Sequence, residues 1–244
     1  MQNSFKQNII ERLQQQILSL EGFKEVAEHA KNKVEIAKIE SSFPHHIFPT
    51  GVIHEFLNPL PEQTACTSAF ISVLLSKIHQ KKGFYLWISK QRHIFPTALK
   101  NFGIQPHQII FINLTQPKDL LWATEEALKC KGVSAVISEL DEISFAQSQR
   151  LQLTVEKSKV TGFILRSKSQ AINATACAAR WEIRPSLSFS DDDLPGVGFT
   201  QWQVNLLKVR NGNPASYQIT WRNHQLLNND IHYQPTALHQ SAVV

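Results

Sequence analysis

Residues 51–70, GVIHEFLNPLPEQTACTSAF, read as an apolar strand, a turn with two prolines and an apolar helix. This is the layout of a phosphate-binding loop, G-x-x-x-x-G-K-[ST], in which glycines and a lysine grip nucleotide phosphates and a hydroxyl holds magnesium. On that spacing Asn58 and Gln63 stand at the two glycines, Thr64 at the lysine and Ala65 at the hydroxyl. Thr64 carries no charge, Ala65 has no oxygen, and neither Asn58 nor Gln63 has the backbone freedom of glycine. Pro59 and Pro61 remove two further backbone donors. The residues predict a scaffold without the hydrolytic chemistry. The same spacing fits an ordinary strand–loop–helix with no nucleotide history, and locally both readings stand.

Outward from this stretch, apolar strands and helices alternate. Strands are predicted at 52–57, 84–89, 108–113, 133–138 and 161–165, and helices at 64–80, 97–102, 120–129 and 144–158. The strands are continuous apolar runs, as in a sheet covered on both faces, so the order predicts an α/β fold with a mostly parallel sheet flanked by helices. After residue 171 the pattern changes to short strands at 177–183, 201–209 and 216–221, the last two flanking Asn211-Gly212, a hairpin signal. A C-terminal antiparallel extension follows. Ahead of the core, residues 5–20 form an amphipathic helical arm with Ile9, Ile10, Leu13 and Ile17 on its apolar face, and a second, polar helix is predicted at 26–39. The arm suits packing on its own core or presentation to a partner. The Pro- and Gly-containing run at 41–51 places a boundary, so the expected organisation is an arm at 1–47, a core at 48–222 and a flexible polar tail at 223–244.

With 244 residues and 42% hydrophobic content, the chain suits one α/β domain with extensions. Basic residues number 25 against 20 acidic, a net charge of +5, which permits contact with nucleic acid without establishing it. Cys66, Cys130 and Cys177 are too few and too far apart for a disulfide framework or a metal site, and the ten histidines form no ligand spacing. The polar N-terminus lacks a signal core, and the expectation is a soluble cytoplasmic protein without metal or cofactor.

A second candidate nucleotide element is VSAVISELDEIS at 133–144, an apolar strand ending in Glu139, where a carboxylate would orient magnesium; acids after a strand are also common in solvated loops. Arg166 and Lys168 in one cluster, and Lys208 and Arg210 in another beside Trp202 and Trp221, are candidate nucleic-acid contacts, or else a solvated face.

Taken together, FPTGVIHEF (48–56), FYLWISKQ (84–91), QPKDLLWATEEALKCKGVSAVISEL (116–140), SQRLQLTVEKSKVTGFILRS (148–167), AARWEIRPS (178–186) and WQVNLLKVRNGNPASYQITW (202–221) resemble the ImuA family, RecA-like accessory proteins of damage-induced (SOS) mutagenesis. The resemblance implies a RecA-like core. Set against RecA, Gln91 lies near the position of the water-activating glutamate, where an amide cannot act as base, and the segment 166–176 replaces the long DNA-contacting loop. It implies a pseudo-ATPase adaptor in translesion DNA synthesis and DNA repair, with an ImuB-like Y-family polymerase homologue and an error-prone C-family polymerase as partners and RecA as a further contact. Ile10, Leu13 and Ile17 are the expected partner contacts. The alternative is a SulA-like division inhibitor that binds FtsZ, since GFILRS (162–167) is similar to a SulA segment.

Overall fold

A computed structural model describes residues 34, 36–78, 83–167, 173–189 and 198–228, with Ile9 and Leu13 placed singly ahead of them. A nine-stranded sheet has the order β3-β2-β4-β5-β1-β6-β7-β8-β9, built from β1 (Ile53–Leu57), β2 (Phe84–Ser89), β3 (Ile109–Asn113), β4 (Val133–Leu140), β5 (Thr161–Arg166), β6 (Ala179–Phe189), β7 (Phe199–Val209), β8 (Ala215–Arg222) and β9 (Gln225–Asn228). The first six strands are parallel and the rest antiparallel, so the fold is mixed α/β with a parallel core and an antiparallel extension.

Three α-helices appear among the described residues: α1 (Pro61–Ile78), α2 (Pro117–Lys129) and α3 (Phe145–Ser158). One core, containing Phe56, Phe70, Leu74, Trp87, Phe163, Trp181 and Trp202, lies on the α1 side of the sheet. A second, containing Ile53, Ile88, Leu128, Val136, Leu151 and Val155, lies on the α2 and α3 side. Both faces of β1 and β5 are therefore buried, which is why these strands read as apolar runs rather than alternating ones. Ser144 caps α3, its hydroxyl accepting from Gln147 N while the Gln147 side chain accepts from Ser144 N. No helix among the described residues is long and apolar enough to cross a membrane.

Four differences from the expected organisation have physical causes. First, Val34, Ile36, Ile39 and Phe43 are buried in the main core, so the chain joins the domain well before residue 48. The segment 37–42 is a 3-10 helix whose end is stitched to the extension: Ser42 Oγ and Tyr217 Oη lie 2.6 Å apart, and Asn213 N donates to Ser42 O at 2.9 Å. Second, Gly212 is needed for that approach, since a Cβ there would sit 2.2 Å from Ser42 O. Residues 210–214 link β7 to β8. Third, a flexible tail is expected from residue 223, yet Gln225–Asn228 pairs with β8 as an edge strand. Its turn is Asn223-His224, both at positive φ (50° and 60°), a hairpin geometry hidden by the absence of glycine. Fourth, the helix expected at 97–102 is a 3-10 helix, Ala98–Phe102, ended by Gly103 at φ 86°.

Candidate functional site

Because β1, β2, β4 and β5 run parallel, their C-terminal ends open on one side of the sheet, where α/β folds most often bind ligands. There a cleft of about 860 Å³ lies between the start of α1 and the segment 93–102. Asn58, Thr64, Ala65, Gln91 and Glu139 all line it, so positions scattered over 82 residues of sequence meet at one place. Gln63 does not line it: its side chain is buried and its Oε1 accepts from Leu60 N at 3.2 Å.

Four of the loop's backbone donors are already spent within the protein. Asn58 N donates to Arg166 O at 2.8 Å, Leu60 N to Gln63 Oε1, and Gln63 N and Thr64 N both to Leu60 O at 3.1 and 3.2 Å. Pro59 and Pro61 have no N–H to give. A phosphate cradle needs several such groups aimed outward together, and this loop turns them inward. Thr67 Oγ1 donates to Asn58 Oδ1 at 2.7 Å, while the buried Asn58 Nδ2 has no partner among the described residues.

Across the cleft, β4 runs beyond the predicted strand end at 138 to Leu140, and Glu139 follows Ala135 and Ile137 onto the α1 face. Trp87 Nε1 donates to Glu139 Oε1 at 2.8 Å. Burial raises the Glu139 pKa, against the pull of the Trp87 hydrogen bond and the His93 charge. The cation of the cleft, Lys90, is held by Asp141 at 2.5 Å, and Asp141 also accepts from Ser167 Oγ at 3.0 Å.

On the opposite face of the same strands lies a closed polar cluster centred on Glu55, which is 1% exposed. Arg166 Nη1 donates to Glu55 Oε1 at 2.7 Å; Arg180 Nε and Thr175 Oγ1 donate to Oε2 at 2.8 and 2.7 Å. Burial alone would raise the Glu55 pKa, but the hydrogen bonds from Thr175, Arg166 and Arg180, with the Arg180 charge, outweigh it and hold the carboxyl below its ordinary value. Burial and the Glu55 charge push the Cys177 thiol up to about 11, so this cysteine is a weak hydrogen-bond donor and no nucleophile.

This cluster corrects the assignment of Arg166 to nucleic acid: the side chain is buried and committed to Glu55, out of reach of a phosphate. Lys208 Nζ donates to Thr175 O and Arg210 Nη2 to Ala176 O, both at 2.7 Å, so each braces the irregular segment leading into β6. Lys168, Ile10 and Ile17 lie outside the described residues, and Leu13 is exposed. The Glu55 cluster was not anticipated. Its signal was an acid in the middle of the run VIHEFL, at a position where only a paired charge can be buried. Among the described residues no group of three or more His, Cys, Asp or Glu side chains could hold a metal ion.

No protein-family profile matches the chain. It is 27% identical over 191 residues to protein ImuA of Caulobacter vibrioides, spanning 73% of this chain and 78% of that protein. It is also 27% identical over 118 residues to the cell division inhibitor SulA of Klebsiella aerogenes, spanning 48% of this chain and 69% of that protein. SulA of Yersinia pestis matches at 24% over 117 residues. The chain is a distant homologue of the ImuA and SulA proteins.

Proposed function

We propose that this chain is a non-hydrolysing accessory protein of error-prone translesion DNA synthesis. It acts in the cytoplasm through contacts with a Y-family-like polymerase homologue and an error-prone C-family polymerase, with RecA as a further contact. The observation that carries this reading is the reach of the ImuA similarity, 73% of the chain against 48% for SulA. The inward-turned amides of the loop at 58–64 support it, because a site that cannot gather phosphate oxygens cannot position them for transfer.

Tagged protein recovered from DNA-damaged cells should carry a Y-family-like protein or a C-family polymerase with it, identified by mass spectrometry. With ATP and magnesium, turnover should stay at background. Magnesium-dependent turnover abolished by Glu139→Ala would sink the non-hydrolysing reading. A second reading, a division inhibitor that binds FtsZ, is favoured by the SulA similarity. Recovery of FtsZ with no polymerase would select it.

A further inference from the structure

The C-terminal cleft has a chemistry of its own once phosphate is set aside. Its volume, about 860 Å³, is that of a ligand site. Its wall is apolar, formed by Ile94, Leu99 and Phe102, and its lip is formed by Phe95 and Leu60, which line it yet remain 74% and 50% exposed. Its charges are unequally satisfied: His93, also on the lining, acts on Glu139 through its charge but makes no hydrogen bond to it among the described residues. Lys90 is neutralised by Asp141, whereas Glu139 Oε2 has no hydrogen-bond donor among the described residues. An unmet donor, Asn58 Nδ2, is buried on the same lining.

We infer that this cleft is a peptide-binding site, taking an arginine or lysine carried between large apolar side chains on a partner protein. The inference rests on the adaptor reading above. The basic group complements Glu139 and forms a charge-assisted hydrogen bond in a partly desolvated place, where such bonds are strong. The flanking apolar side chains cover Phe95 and Leu60. A small metabolite held inside the cavity would leave the lip in water, while a peptide crossing it buries both lip residues. An anionic ligand would meet Glu139 and a loop whose Asn58, Leu60, Gln63 and Thr64 amides are already bonded within the protein. Arginine among apolar anchors is also the composition of an interface hot spot.

The test is an array of immobilised heptapeptides, each with a central arginine or lysine flanked by every pairing of leucine, isoleucine, phenylalanine and tryptophan. The full-length protein is applied, and retained peptides are titrated by fluorescence anisotropy. Arginyl peptides should bind and weaken roughly tenfold or more when norleucine replaces the arginine, with a similar loss in Glu139→Gln. Ala65→Trp, at an exposed position on the cleft wall, should abolish binding while leaving the melting temperature unchanged, and magnesium-ADP should not compete. If no peptide is retained, or if retained peptides ignore both variants, the inference falls. Should peptides fail while a polymerase still co-purifies, this inference alone is lost. Magnesium-ATP turnover together with displacement of the peptides by ATP would overturn the adaptor reading with it.

Discussion

Glu55 and Glu139 stand on opposite faces of the same sheet and have opposite fates. Glu55 has every strong donor it can use: two arginines and a threonine lie within 2.8 Å of its oxygens. Glu139 has one donor, the Trp87 indole, and an open cleft beside it. Strand alternation does the sorting, because odd positions of β1 face α2 and α3 whereas odd positions of β4 face α1. A carboxylate whose bonds are complete holds the fold together. One whose bonds are incomplete at the mouth of a cleft is available to something else.

The comparison breaks first at Glu55. Glu55→Gln leaves two buried guanidinium groups without a counter-charge, and such removals cost about 3–5 kcal/mol. Urea denaturation should show the loss as a shift in midpoint at unchanged slope. A cost under about 1 kcal/mol, the scale of an exposed pair, would mean that the cluster is no more structural than the cleft.

The α1 face has its own buried polar group, and it sharpens the contrast through pH. His54 is stacked on Phe48, with ring centroids 4.6 Å apart; its Nε2 donates to Pro49 O at 2.9 Å and its Nδ1 accepts from Trp181 Nε1 at 3.3 Å. That pairing fixes a neutral ring. Burial lowers its pKa from 6.5 to about 4, against the Pro49 hydrogen bond. The unfolded chain therefore takes up a proton that the folded one refuses. Stability is complete above pH 6.5 and declines toward pH 4, by about 3 kcal/mol over the window. The Glu55 contribution, from a carboxyl lowered in the fold, is lost at more acid pH still, as the solution falls below its ordinary range of about 4. In His54→Phe, whatever the cost of the lost hydrogen bonds, the loss of stability on going from pH 6.5 to 4.5 should disappear. Chemical denaturation at stepped pH reads it directly.

The regions differ also in how far the sequence reveals them. The parallel strands were legible because burial on both faces writes an uninterrupted apolar run, as in FYLWIS and TGFILR. The cleft was legible in part by spacing, since Asn58, Thr64 and Ala65 follow one strand and Glu139 marks the end of another, whereas Gln91 was singled out by the resemblance to RecA. Gln63 was misplaced because a helix start rotates successive residues by about 100°, turning it inward while Thr64 faces the cleft. The Glu55 cluster needs Arg166 and Arg180 from strands on either side of β1, a pairing that only the strand order β5-β1-β6 supplies. Local sequence carries no such information. The edge strand β9 escaped for a different reason: its two-residue turn uses asparagine and histidine at positive φ, where glycine would have announced it.

A smaller effect is expected where cations of the extension brace the irregular segment into β6. Arg210→Ala removes one charge-assisted hydrogen bond to Ala176 O, half-exposed, and should cost about 1–2 kcal/mol. Affinity for single-stranded DNA should be weak and unchanged in this variant. If Arg210 instead neutralised a phosphate, the slope of log affinity against log salt would fall by about 0.7 for the single strand, and the extension would join the cleft as a binding surface.

The smallest expected effect is at Glu139, and its smallness is the point. Glu139→Gln keeps an oxygen to accept from Trp87 Nε1 and removes a charge whose pKa burial already raises. The folded state loses no ion pair, because no cation is bonded to this carboxylate among the described residues and His93 acts on it only through its charge. Stability at pH 7 should therefore change by no more than about 0.5 kcal/mol. A fold-neutral change there, set beside a severe one at Glu55, assigns the first carboxylate to binding and the second to the architecture. If both changes prove severe, Glu139 is a second structural charge, and the cleft loses the group that gives its occupant a basic residue.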